Sequence, residues 1–201
     1  MMSHKNTKNQ VRIIGGKWRS RKLYFMDAPG LRPTPNRVRE TLFNWLTPHI
    51  IGAHCLDLFA GSGALGFEAL SRGAASVLLV DRSLPVITQL QHQVMLFHAE
   101  KEAQCICTQI PNDKILTEQS PFDIVFLDPP FHQHALITCC QWLVKNVCLS
   151  KEAFIYIEAE SSLDLKSILP KHWKIHRNQT AGQVGYYLII AHGVSKGGEF
   201  V

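Results

Sequence analysis

Asp128-Pro129-Pro130-Phe131 sets a carboxylate, two prolines and an aromatic ring in four consecutive positions. The prolines fix the backbone and remove two N–H donors, so the carbonyls there are free to act as acceptors. A carboxylate, rigid acceptor carbonyls and a ring suit a planar base with an exocyclic NH2. Such an amine is a poor nucleophile because its lone pair is delocalised into the base. Accepting its two N–H bonds at Asp128 and the Pro129 carbonyl draws the lone pair back onto nitrogen. Phe131 can stack on the base and hold it in line with a methyl donor. A simple strand stop capped by an Asp is the alternative for D-P-P on its own.

A second group lies upstream. Phe59-Ala60-Gly61-Ser62-Gly63-Ala64-Leu65-Gly66 contains G-x-G-x-x-G, flanked by Asp57 before it and Asp81 after it. Gly61 and Gly63 allow a tight turn and close approach of a ligand, and the helix that follows offers free N–H groups. Asp81 ends the next strand, where a carboxylate can accept both hydroxyl protons of a ribose. The ribose can belong to a dinucleotide or to S-adenosylmethionine. Asp57 beside the loop suits a cofactor carrying an amino-acid cation better than a pyrophosphate. Gly66 is expected to serve only close helix packing.

These residues need a sheet to line them up, and the chain supplies its pattern. Strand-like runs at 55–59, 76–81, 103–110, 122–131 and 153–160 alternate with helical stretches at 64–72, 84–100, 133–147 and 163–168. Alternation of this kind predicts a doubly wound α/β fold with a mostly parallel sheet. Residues 173–179 and 184–192, around Gly182, read as a closing antiparallel hairpin. That hairpin is not a dehydrogenase feature. Upstream, 11–25 reads as a hairpin turning at Gly15-Gly16. Residues 31–46 start a helix, capped by Thr34 with Pro35 in its first turn, with Val38, Leu42, Trp45 and Leu46 on one face. The expected division is a disordered tail (1–10), a basic extension (11–50), a cofactor-binding domain (51–192) and a second tail (193–201).

The chain has 201 residues and a net charge of +5. Residues 1–50 carry ten basic side chains against two acids, so +8 sits there and the other 151 residues carry −3. A basic end on a near-neutral body predicts a polyanion-facing arm. Its candidates are Arg12, Lys17, Trp18, Arg19, Arg21, Lys22, Arg37 and Arg39. Trp18 either stacks on a base or plugs the core. Arg37 and Arg39 reach either RNA or the cofactor carboxylate. The six cysteines form no C-x-x-C motif, there is no apolar leader-like stretch and no run suits a bilayer. A cytoplasmic protein is expected, with no membrane contact and a monomer as the default. His132, His134 and Asp128 lack a fourth ligand, so no metal is expected.

Taken together, "LDLFAGSGALGFEALSRGA", "DPPF", "RIIGGKWRSRKL" and "LRPTPNRVRETLFNWL" resemble the RsmD family over about residues 11–192. The resemblance implies a Rossmann-like, S-adenosylmethionine-dependent methyltransferase acting on guanine N2 of 16S ribosomal RNA in the small subunit. It implies that Phe59, Ala60, Gly61, Ser62 and Gly63 line the cofactor above Asp57, and that Asp81 holds the ribose with Arg82 beside it. Asp128, Pro129 and Phe131, with Pro130, would hold the guanine. Family members often place an Asp or Asn near the cofactor's adenine after the third strand; here that position falls to Gln109. An adenine- or DNA-directed amino-methyltransferase, an NAD-dependent reductase and a non-catalytic RNA-binding protein are the competing readings.

Overall fold

The computed structural model describes residues 9–25, 33–116, 121–129, 133–146 and 148–192. Its centre is a seven-stranded sheet. Five strands run parallel: β3 (His54–Asp57), β4 (Ser76–Asp81), β5 (Ala103–Cys107), β6 (Phe122–Leu127) and β7 (Leu149–Glu160). The closing hairpin, β8 (Trp173–Ala181) and β9 (Val184–His192), adds two antiparallel strands, giving the order β5-β4-β3-β6-β7-β9-β8. The central strands β4 and β6 carry near-continuous apolar runs because helices cover both faces. The outermost strand β8 is polar and mostly exposed, and a register shift between Ile175 and Arg177 interrupts its ladder. Charge and irregularity of that kind protect an edge from pairing with other chains.

Two hydrophobic clusters flank the sheet. The first gathers α1 (Asn36–Leu46), α2 (Ala64–Ser71) and α3 (Leu84–Phe97) over Cys55, Val77, Ile124, Phe126 and Tyr156. The second packs α4 (Gln133–Lys145) and the short α5 (Leu165–Ile168) under Leu56, Leu78, Val125 and Ile155. No helix among the described residues is long and apolar enough to cross a membrane.

The N-terminal hairpin pairs β1 (Asn9–Arg12) with β2 (Lys22–Phe25), as expected, but it does not turn tightly at Gly15-Gly16. A nine-residue connection holds a 3-10 turn at Gly16–Trp18, and Gly16 takes φ 76° against the backbone of α2. A side chain at Gly16 would collide with the Ser71 carbonyl. Val11, Ile13, Trp18, Leu23 and Phe25 therefore enter the same cluster as α1, α2 and α3.

Several boundaries move. The helix expected to reach Glu100 stops where His98 takes a left-handed φ of 54°. The strand expected to reach Ile110 ends at Cys107, and β7 begins at Leu149 rather than 153. Thr34 does not cap α1. Pro35, which has no side-chain oxygen to offer, occupies the cap position, and the Thr34 hydroxyl donates to Glu158 Oε1 instead.

Candidate active site at the carboxyl edge of the sheet

Four carboxylates end adjacent strands on one edge: Asp81 on β4, Asp57 on β3, Asp128 just past β6, and Glu158 near the end of β7. Doubly wound sheets bind ligands along this edge. The glycine loop rises from β3, with Gly61 at φ 49° and Gly63 at φ 75°, the latter at the cap position of α2. Both need the left-handed conformation that glycine adopts without cost. Gly66 is one turn into the helix, where an added Cβ would lie 2.4 Å from Leu79 Cδ2. Its role is close packing of α2 on β4, as expected.

Asp57 is buried, and its Oδ2 accepts the Gly66 N–H at 3.2 Å. Loss of water raises its carboxyl pKa to about 7; the bond from Gly66 opposes the rise and the nearby Asp81 adds to it. This makes a pH prediction. The unfolded chain releases the proton near pH 3.8 and the folded chain near 7. Between those values the folded state binds more protons, so stability is lost as pH rises through that window. Asp57→Asn keeps an acceptor for Gly66 and removes the slope. Urea unfolding at pH 4.5 and 7.5 should show wild type losing on the order of 3 kcal/mol more than the variant over that interval. Equal losses would mean that Asp57 ionises freely.

Asp81 is half-buried and already holds the loop in shape. Its Oδ2 accepts the Gly61 N–H at 3.1 Å and its Oδ1 the Ser83 N–H at 2.9 Å. A carboxylate has about four lone-pair sites, so two remain for further donors. Phe59 is half-buried beside the lower cluster, while Ala60 and Ser62 are buried. Arg82 and Gln109 are exposed on neighbouring loops. Among the described residues no hydrogen bond aims either of them at the loop.

Asp128 leaves β6 beside Glu158. The ladder pairs Leu127 with Ile157, so the next residue of each strand stands against the other. Desolvation lifts the Asp128 carboxyl well above the usual carboxylate range, and the charges of Glu158 and Asp57 push the same way. Glu158 is itself buried and raised by desolvation, against hydrogen bonds that favour its anion. Those bonds come from the Thr34 and Tyr156 hydroxyls, each 2.8 Å from the same oxygen, Oε1. Pro129 is buried; Pro130, Phe131 and His132 lie outside the described residues. Glu158 and Thr34 were not among the expected site residues.

The expected RNA-facing residues divide. Arg12, Arg19, Lys22 and Arg37 are exposed. Lys17 pairs with Glu102 at 3.1 Å. Arg21 donates to the Leu96 carbonyl at 2.8 Å and covers the Phe97 ring at 3.9 Å. Two are corrected. Trp18 is buried, edge-on to Phe97 at 4.8 Å between ring centroids and 6.3 Å from Phe67, so it plugs the core and cannot stack on a base. Arg39 is fully buried and reaches neither RNA nor cofactor. It binds the Arg12 carbonyl, Asn36 Oδ1, the Thr34 carbonyl and Glu68.

Glu68, also fully buried, is the hub of that region. It accepts the Ile14 and Gly15 N–H groups at 2.8 and 2.9 Å and Arg72 Nε at 2.7 Å, and it pairs with Arg39 at 3.4 Å. Ser71 accepts the Trp18 N–H and donates to the Gly15 carbonyl. The basic hairpin is thus fastened to α2 by backbone bonds. Among the described residues no group of three or more His, Cys, Asp or Glu is arranged to hold a metal ion.

Comparison with known proteins shows which family the chain resembles over most of its length. The family described as conserved hypothetical protein 95 matches residues 11–190. Ribosomal RNA small subunit methyltransferase D of Escherichia coli strain K12 is 46% identical over 183 residues, 89% of either chain. Its Haemophilus influenzae namesake is 43% identical, over 91% of this chain and 95% of its own. The solved structure of Escherichia coli yhhF superposes with a TM-score of 0.80 at 45% identity, covering 92% of this chain and 99% of that one.

Proposed function

We propose, for a chain that belongs to the RsmD methyltransferase family, that it transfers a methyl group from S-adenosylmethionine to the exocyclic N2 of a guanine in small-subunit ribosomal RNA. The observation that carries this reading is the placement of Asp81, Asp57 and Asp128 on one sheet edge, with Pro129 following the last. Asp81 has lone pairs left for a ribose. Asp57, desolvated under the loop, is a counter-charge for an amino-acid cation. The donor set therefore fits the cofactor, which when bound supplies a methyl group on an electrophilic sulfonium.

Asp128 does the rest of the work with its neighbours. Its carboxylate accepts one N2–H and the Pro129 carbonyl the other, localising the lone pair and fixing its direction. After the N–C bond forms, the amine nitrogen is cationic and sheds one proton. Asp128 is the group in contact with that N–H, and its raised pKa suits it to take the proton. The target base must be unstacked to reach the edge, which favours a loop over a helix.

Arg12, Arg19 and Lys22 supply the phosphate-facing charge of the arm, with Arg37 on the exposed side of α1. Arg19→Ala combined with Lys22→Ala should weaken RNA binding and shallow the slope of log K against log salt by roughly 1–2. An unaltered slope would remove the hairpin from the interface. The substrate is tested by offering labelled cofactor with small subunits, small-subunit RNA and a DNA duplex side by side. Label should enter the ribosomal substrates only; transfer to DNA would favour the DNA-directed alternative.

A further inference from the structure

We infer that Glu158 reads the N1–H of the target guanine and so sets the choice of guanine over adenine. This deepens the reading above and depends on it. Guanine presents two adjacent donors on its Watson–Crick edge, N1–H and N2–H2, whereas adenine presents an acceptor at N1 beside its amine. A base whose N2 is held by Asp128 and the Pro129 carbonyl carries its N1 to the next position along the sheet edge. The strand on that side is β7, and the β6–β7 register stands Glu158 beside Asp128.

The local bonding prepares Glu158 for this contact. Thr34 and Tyr156 both donate to Oε1, holding the carboxylate in one orientation. Among the described residues, Oε2 accepts no hydrogen bond. Once Asp128 is ionised and accepting from the base amine it has no proton to offer this oxygen, so the donor arriving from the base at N1 is its partner. Adenine would bring its N1 lone pair against the same oxygen. An acceptor facing an acceptor in a site closed by the base leaves both unpaired, which is a strong way for a polar site to reject the wrong base. Thr34 precedes α1, and its carbonyl is gripped by Arg39, so the same buried arginine that anchors the arm also steadies the donor to Glu158.

The test compares guanine with 2,6-diaminopurine, which keeps the N2 amine but has an acceptor at N1. Wild-type protein first methylates small-subunit RNA, and the modified nucleoside is identified and its position mapped. Failure to find N2-methylguanosine there would defeat the proposed function itself. RNA carrying 2,6-diaminopurine at the mapped position is then offered. Wild type should prefer guanine by roughly 10²-fold in kcat/KM. Glu158→Gln still accepts from Thr34 and Tyr156 but can donate to an N1 acceptor. It should lose about 10²-fold on guanine while holding or gaining on 2,6-diaminopurine, with cofactor affinity within twofold of wild type. A fall of equal size on both RNAs, or an unchanged preference, would make Glu158 a scaffold residue only. Should the variant fail to fold, equal turnover of the two RNAs by wild type would itself overturn the inference.

Discussion

Asp128→Ala should lower kcat by about 10²–10³-fold while the protein binds S-adenosylmethionine within about twofold of wild type. The variant should also unfold no more readily than wild type. Asp128 sits desolvated beside Glu158 and near Asp57, and all three effects oppose its ionisation. Removing such a group relieves repulsion, the usual exchange of stability for activity at a working site. Asp128→Asn keeps an acceptor oxygen but can take no proton, so its activity should fall between the two. Single-turnover methyl transfer, calorimetry with the cofactor and urea unfolding measure the three quantities. A loss of cofactor affinity as large as the loss of rate would place Asp128 in the cofactor pocket instead of at the amine.

The second large effect concerns stability. Glu68→Ala should lower the free energy of unfolding by about 3–5 kcal/mol. The substitution strands the Arg39 guanidinium, which is fully buried and whose own pKa is already lowered by desolvation, with Glu68 its principal opposing charge. It also deprives Ile14 and Gly15 of the acceptor for their N–H groups. Because those bonds fasten the hairpin to α2, the arm should gain amide exchange at 13–18 before the sheet does. Urea unfolding and native-state exchange measure both. A loss under 1 kcal/mol would mean that the arginine finds water or another partner at little cost.

The placement of the candidate residues on one sheet edge was largely legible because its signals are local. A glycine turn between strand and helix, an acid ending the next strand and Asp128-Pro129 at the end of another are short strings with strong backbone consequences. Alternating strands and helices then place their ends on one edge. Glu158 was not legible in the same way. "AFIYIEAE" reads as an ordinary strand, and only the pairing of β6 with β7 brings its glutamate to Asp128. Thr34 shows the same failure from the other side: a threonine before Pro35 looks like a helix cap, but tertiary contact with a buried carboxylate competes for its hydroxyl.

Arg39 sits on the apolar face of its helix. Arg39, Leu42, Phe43 and Leu46 follow the i, i+3, i+4, i+7 spacing of one helix face, and all four are buried. Charge suggested solvent, while periodicity pointed inward. Periodicity was right because Glu68, on a different helix, compensates the buried charge. Trp18 was ambiguous for a related reason. Its basic neighbours suit a nucleic-acid surface, but Phe67 and Phe97 supply the aromatic cavity that takes the ring. Nothing in the hairpin's own sequence could reveal those partners.

The central claim is that one sheet edge presents a guanine N2 to a methyl donor. The most direct measurement is to incubate the protein with labelled S-adenosylmethionine and unmodified small subunits, digest the RNA to nucleosides and identify the labelled product. The account predicts a single product, N2-methylguanosine, formed about 10²–10³-fold more slowly when Asp128→Ala replaces wild type. Label in N6-methyladenosine, or N2-methylguanosine made equally well by the Asp128→Ala protein, would contradict it.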